Sequence, residues 1–177
     1  MNSVYEEAKR FKQRYPSTVA WRIKKHCKII EEHLNPGEEV KYVFVGQKNN
    51  AFYDIISTAA FAITNKRLLI ANDRLLFGYF LYSITPDMFN DLTVVSGLIW
   101  GKVIIDTIKE EVYVTNLSKR SLDEIETKVT EYMMEEKKKY ALRKAALSNF
   151  LAQAITHVVM HSTRFYTKKV STKRYFM

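Results

Sequence analysis

The chain has 177 residues, 47% of them apolar and 27% charged, which is the balance of a globular protein and excludes a disordered or fibrous one. That length suits one domain with appended elements, or two small domains, and buries enough surface to need no disulfide or metal staple. A single cysteine, Cys27, has no internal partner, and no apolar run follows the charged first residues, so the expectation is a cytoplasmic protein with neither leader nor membrane span there.

The net charge of +9 is unevenly placed. Residues 137–177 hold ten Lys or Arg and no Asp or Glu, and residues 1–33 hold eight basic and four acidic residues. Between them, ten basic residues face fifteen acidic ones. A mildly acidic centre is flanked by basic arms.

In chain order, Val4, Ala8, Phe11 and Tyr15 recur at helical spacing until Pro16 interrupts. Ser17 or Thr18 is placed to cap a second helix, whose apolar face is Val19, Ile23, Cys27, Ile30 and Leu34. Asn35-Pro36-Gly37 ends that helix in a turn. The period then becomes strand-like. Strands are predicted at 40–45, 58–64, 67–71, 79–84, 92–96, 102–108 and 111–115. Asn65-Lys66 reads as a two-residue hairpin loop in which Asn tolerates positive φ, and Asn72-Asp73 reads as the next turn. Close-spaced short strands of this kind suggest an antiparallel sandwich or barrel. Ser121 to Glu124 has the form of a capping box, opening a helix with Leu122, Ile125, Val129, Tyr132 and Met133 on one face. A second helical pattern follows in Leu147, Phe150, Leu151, Ala154, Ile155, Val158 and Val159, too short and too interrupted to cross a bilayer. Past Ser162 the sequence reads as a basic, aromatic tail. The domain division expected is therefore a helical arm at 1–33, a β-rich domain at 34–136 and a basic helix and tail at 137–177.

Two motifs carry a family resemblance. Leu34-Asn35-Pro36-Gly37-Glu38-Glu39-Val40 resembles the "L-x-x-G-E-x-V" lead-in to the first strand of bacterial pleckstrin-homology (PH) domains of the YokE-like group. Phe61 to Ile70, with Thr64-Asn65-Lys66-Arg67 at its centre, resembles their "h-x-h-T-N-K-R-h-h-h" hairpin. The resemblance implies an α+β fold: a seven-stranded bent antiparallel sheet capped by a C-terminal helix, here with added N-terminal helices and a C-terminal amphipathic helix. It implies no catalytic centre and no cofactor, and a role as a scaffold or oligomerisation unit. Eukaryotic PH domains that grip phosphoinositides place several basic residues around the first hairpin. Residues 47–56 offer only Lys48, so that ligand does not carry over.

The candidate binding features are surfaces. Lys66 and Arg67 either sit solvated at a hairpin mouth or contact an acidic partner. The first inter-strand loop contains Phe52, Tyr53, Ile55 and Ile56, which either fold onto the core or wedge into a membrane or protein groove. Lys168, Lys169, Lys173 and Arg174, interleaved with aromatics, are candidate contacts for anionic lipid or nucleic acid. Leu147, Phe150, Leu151, Ala154, Ile155 and Val158 form a candidate interface that must cover itself on the N-terminal helices, a second subunit or a membrane. His157 and His161 stand four apart, but Val158 occupies the place where a zincin needs Glu, so no metal site is expected. Cys27 falls on the apolar face of its helix and reads as core rather than nucleophile. The resulting expectation is a non-catalytic binding or assembly module acting through protein contacts, with self-oligomerisation. The alternative is a peripheral binder of an anionic surface, at the inner membrane face or on nucleic acid, through the basic C-terminal region.

Overall fold

The structure is a computed structural model; it describes residues 3–49 and 57–173, with side chains as far as 156. The chain divides into two compact units, residues 1–137 and 138–177. Two helices open the first, α1 (Val4–Arg14) and α2 (Ile23–Glu32). Seven strands follow: β1 (Val40–Gln47), β2 (Thr58–Thr64), β3 (Leu68–Asp73), β4 (Tyr79–Ile84), β5 (Phe89–Ser96), β6 (Trp100–Thr107) and β7 (Glu111–Ser118). A single helix, α3 (Leu122–Lys173), begins in the first unit, and its residues from 138 onward belong to the second.

The strands form one seven-stranded sheet in the order β4-β3-β2-β1-β7-β6-β5, antiparallel throughout. The join between β1 and β7, in the middle of that order, is narrow, with Gln47 opposite Thr115 as the one register pair among the described residues. The sheet curls into a partly open barrel because β-branched and aromatic residues impose strand twist while small ones permit close approach. Every residue of β2 is buried, so both of its faces are covered. One cover is helical: α2 lies against β3 and β2, and α1 against β1 and α2. Phe44 and Phe61, opposite each other in register, stack with centroids 4.7 Å apart, and Phe11 of α1 meets Phe44 at 6.3 Å. Aromatic contacts of this kind join the N-terminal helix to the sheet.

Leu122, Ile125, Val129 and Met133 are buried on the start of α3, the face its sequence marks. Gly101 is what lets that helix approach: a Cβ there would lie 2.5 Å from Leu122 Cδ1 and 2.7 Å from the Val95 carbonyl. The Gly101→Ala variant is expected to lose about 1–3 kcal/mol through overpacking. Urea unfolding checks it, and an unchanged midpoint would count against the close approach.

Several local expectations are corrected. The second helix does not start at Ser17 or Thr18. The Thr18 side chain is buried and accepts the Ser118 N–H at 2.9 Å, while Val19 N donates to the Asn116 carbonyl at 2.9 Å. The end of β7 therefore holds residues 18 and 19 out of a helix, and α2 begins after Arg22. No capping box forms. Ser121 Oγ donates to the Ser118 carbonyl at 2.7 Å, and the Glu124 carboxylate is taken by Arg14 and by the Tyr15 hydroxyl at 2.6 Å. Asn72 and Asp73 end β3, and the turn comes after them, where Arg74 N meets the Gly78 carbonyl at 3.0 Å and Gly78 takes φ +70. The two helices expected after Ser121 are one, because no Pro or Gly interrupts residues 122–173. Most of the segment read as a tail after Ser162 is thereby helical as far as Lys173.

Candidate binding surfaces

Asn65 has no positive φ; among the described non-glycine residues only Arg22 and Asn116 do. Its side chain is the reason for its place. Oδ1 accepts the Glu39 N–H at 2.9 Å and Nδ2 donates to the Gly37 carbonyl at 3.1 Å, which fixes the lead-in to β1 onto the β2–β3 hairpin. Next to it Arg67 is not a solvated charge. Its Nε and Nη2 meet Glu38 Oε1 and Oε2 at 2.9 and 3.0 Å, and Nη2 also donates to the His33 carbonyl at 2.9 Å. Thr64 Oγ1 donates to Glu38 Oε1 at 2.7 Å and the Asn35 N–H to Oε2 at 2.9 Å. Burial by itself raises the Glu38 carboxyl, but Arg67, Asn35 and Thr64 more than offset it and hold the pKa down at about 2. The acidic group that Arg67 meets thus belongs to its own chain. Lys66 Nζ donates to the Pro36 carbonyl at 3.0 Å and remains on the surface.

A second buried cluster joins α2 to the sheet. His26 Nδ1 accepts the Asp73 N–H at 2.9 Å, and Nε2 lies 3.1 Å from Thr58 Oγ1, whose hydroxyl donates to the Trp21 carbonyl at 3.0 Å. This pattern assigns the neutral imidazole with its proton on Nε2. Desolvation lowers the His26 pKa to about 4, opposed by Asp73 and assisted by Arg22. Cys27 is fully buried beside it, and burial pushes its thiol up to about 12, the behaviour of a core cysteine.

In the second unit, Leu147, Phe150, Leu151 and Ile155 of α3 are 52–66% exposed, and Ala154 is exposed with them. They recur at helical spacing and share one face, with Arg143 and Lys144 one turn before Leu147. Ser148, Asn149, Gln153 and Thr156 occupy the remaining surface. The apolar faces of α1 and α2 are already taken: Val4, Ala8, Phe11, Cys27 and Ile30 are buried in the core. Val158, Lys168, Lys169 and Lys173 lie on α3, where their side chains fall outside the described residues, as do those of His157 and His161. Arg174 and the loop residues Phe52, Tyr53, Ile55 and Ile56 lie outside the described residues altogether. Within residues 3–49 and 57–156, no three His, Cys, Asp or Glu side chains gather as a metal site. Among the described residues, no helix is long and apolar enough to cross a membrane.

Some features escaped sequence reasoning. Lys48, the one cation of the first hairpin, sits with Nζ 3.7 Å from the Phe80 ring centroid, a contact that cross-strand spacing does not reveal. Leu75, Leu76 and Phe77 in the β3–β4 turn are largely exposed; an apolar triplet before Gly78 was the available signal.

The family model described as Bacterial PH domain matches residues 34–131. No curated protein matches the chain. Among solved structures, a pleckstrin homology domain from Shewanella amazonensis SB2B is similar at 12% identity and a TM-score of 0.40, over 66% of this chain and 89% of that one. A DUF1696 family protein with a pleckstrin-homology domain from Shewanella loihica PV-4 is similar at 10% identity and a TM-score of 0.38, over 64% and 95%. The family model spans more than half of the sequence and begins at the turn that leads into β1, ending within α3. The chain belongs to the bacterial PH-domain family.

Proposed function

We propose that this protein is a non-catalytic binding module that self-associates through the apolar stripe of α3. The observation behind this reading is the exposure of Leu147, Phe150, Leu151 and Ile155 on one helix face. Fully burying such a side chain is worth about 1.5–3 kcal/mol, so covering the exposed half of each recovers roughly 1 kcal/mol, from four residues on each copy. Association costs at least about 4 kcal/mol in lost freedom, which leaves a surplus of about 4 kcal/mol or less and an expected affinity in the millimolar range. A two-fold pairing in which each copy presents the same face is the commonest closed symmetric arrangement.

A second reading is carried by charge. Residues 137–177 contain ten cations and no carboxylate, which suits an anionic membrane surface or nucleic acid. Salt separates the two. Copies of a basic helix repel, so self-association is expected to hold or strengthen at about 0.5 M salt, where screening reaches only a few Å. Retention on anionic vesicles or DNA is expected to collapse there. Light scattering across a concentration series that extends to about 1 mM tests the first reading: there the protein should exceed its 20.8 kDa monomer mass. Leu147→Gln with Leu151→Gln should restore the monomer without altering charge. A monomer at every concentration and salt would end the self-association reading.

A further inference from the structure

Outside the part of the chain that matches the family, α1 and the segment leading into α2 line an open cleft of about 460 Å³. That volume lies within the range of small-molecule sites. Its walls include Tyr5, Lys9, Lys12, Trp21, Arg22 and Lys24; among the described residues no carboxylate lines it, and the nearby ones are engaged, Glu31 Oε1 at 3.4 Å from the Tyr5 amide and Asp73 by Arg22. Trp21 is 42% exposed, an unusual state for a residue with so much apolar surface. Lys9 and Lys24 are exposed and make no ion pair among the described residues. Lys12 has a different part: its Nζ donates to the Pro16 carbonyl at 2.6 Å and to the Thr18 carbonyl, which ties the connecting segment across the end of α1. Burial lowers its pKa.

The backbone at the cleft is held under strain. Arg22 has φ 51, a left-handed conformation that a side chain with a Cβ adopts at a cost of about 1–2 kcal/mol. Its guanidinium is fastened to the Asp73 carboxylate and to the carbonyls of Asp73 and Arg74 at 3.3 and 3.2 Å. The preceding carbonyl, of Trp21, is held by the Thr58 hydroxyl. Both ends of the kink are therefore anchored to the sheet, while the Trp21 side chain lines the cleft instead of joining the core.

We propose that this cleft binds a nucleoside phosphate, with the base stacked on Trp21 and the phosphates held by Lys9 and Lys24. An aromatic ring presents a face to any base, and two lysines supply point charges for phosphate oxygens. The cations of the lining, Lys9, Lys12, Arg22 and Lys24, outnumber the two carboxylates beside it, Glu31 and Asp73, so the local field favours an anion.

Isothermal titration calorimetry of the full chain with adenosine diphosphate, adenosine and inorganic pyrophosphate tests the assignment. Adenosine diphosphate should give saturable binding, and adenosine and pyrophosphate should each bind at least about tenfold more weakly, because each keeps one half of the recognition. Trp21→Ala should weaken the diphosphate by about tenfold or more. So should Lys9→Ala with Lys24→Ala, two exposed positions at which substitution leaves folding intact and which decide the matter if Trp21→Ala fails to fold. No saturable heat at millimolar adenosine diphosphate would overturn the proposal. Pyrophosphate binding as tightly as the nucleotide would overturn it too, as would nucleotide binding that survives both sets of substitutions.

Discussion

Replacing Glu38 with Gln is expected to lower the stability of the folded domain by about 3 kcal/mol, or roughly 10 °C in Tm for a unit of this size. The Glu38 side chain is wholly buried, and its two oxygens accept from Arg67, Thr64 and the Asn35 amide. Gln keeps the shape but removes the charge, leaving the Arg67 guanidinium, itself 19% exposed, without its counter-ion. Breaking one side of a buried pair costs more than the pair contributes when whole, and the residual exposure of Arg67 puts the loss at the low end of the usual range. The same cluster predicts a pH dependence. The folded pKa of Glu38 is about 2 against an ordinary 4.5, so the unfolded chain takes up this proton first as pH falls. Its stabilising contribution is complete above about pH 4.5 and is lost between there and about pH 2. Denaturant titrations of wild type and Glu38→Gln across that window should converge toward acid. Parallel curves, or a Tm within about 2 °C of wild type at neutral pH, would show that the cluster does not fasten the hairpin.

The onset of acid unfolding belongs to His26. Folded His26 titrates at about 4 instead of 6.5, because burial disfavours the imidazolium and Nδ1 already accepts the Asp73 N–H. Between those values the unfolded chain binds a proton that the native one refuses. Stability is therefore full above about pH 6.5 and declines as pH falls to about 4, by on the order of 3 kcal/mol. The two windows succeed each other, His26 first and Glu38 after. His26→Gln should start less stable at pH 7, since it disturbs the bonds to Asp73 and Thr58, yet lose the slope between pH 6.5 and 4. Urea midpoints at closely spaced pH values measure this directly. A His26→Gln curve as steep as wild type in that interval would place the titrating group elsewhere.

Both predictions rest on polar clusters that link elements distant in sequence, and the legibility of the protein divides along that line. Strand β2 and strand β4 are readable to the residue, because runs of β-branched and aromatic residues between turn formers leave few alternatives. The buried face of α1 follows from the spacing of Val4, Ala8 and Phe11. The Thr64-Asn65-Lys66-Arg67 motif marks its hairpin, yet its chemistry is not visible there: Asn65 looks like a turn residue until Glu39 and Gly37 are seen beside it. Arg67 looks solvated because charged residues usually are, and nothing local announces that Glu38 lies buried 29 positions earlier. The α3 stripe was legible as an amphipathic pattern, and its exposure was not.

The order of the strands, the buried faces of α1 and of the start of α3, and the family motifs came from sequence, since each depends on neighbours within a few positions and on the periods of helix and strand. Tertiary structure alone decided the partner of Arg67, the protonation of His26, the late start of α2 and the cleft beside Trp21. Each of these depends on where the chain returns to itself. Burial then sets whether a charge is solvated or paired, and a linear pattern carries the tendency to be buried without naming the group waiting on the other side.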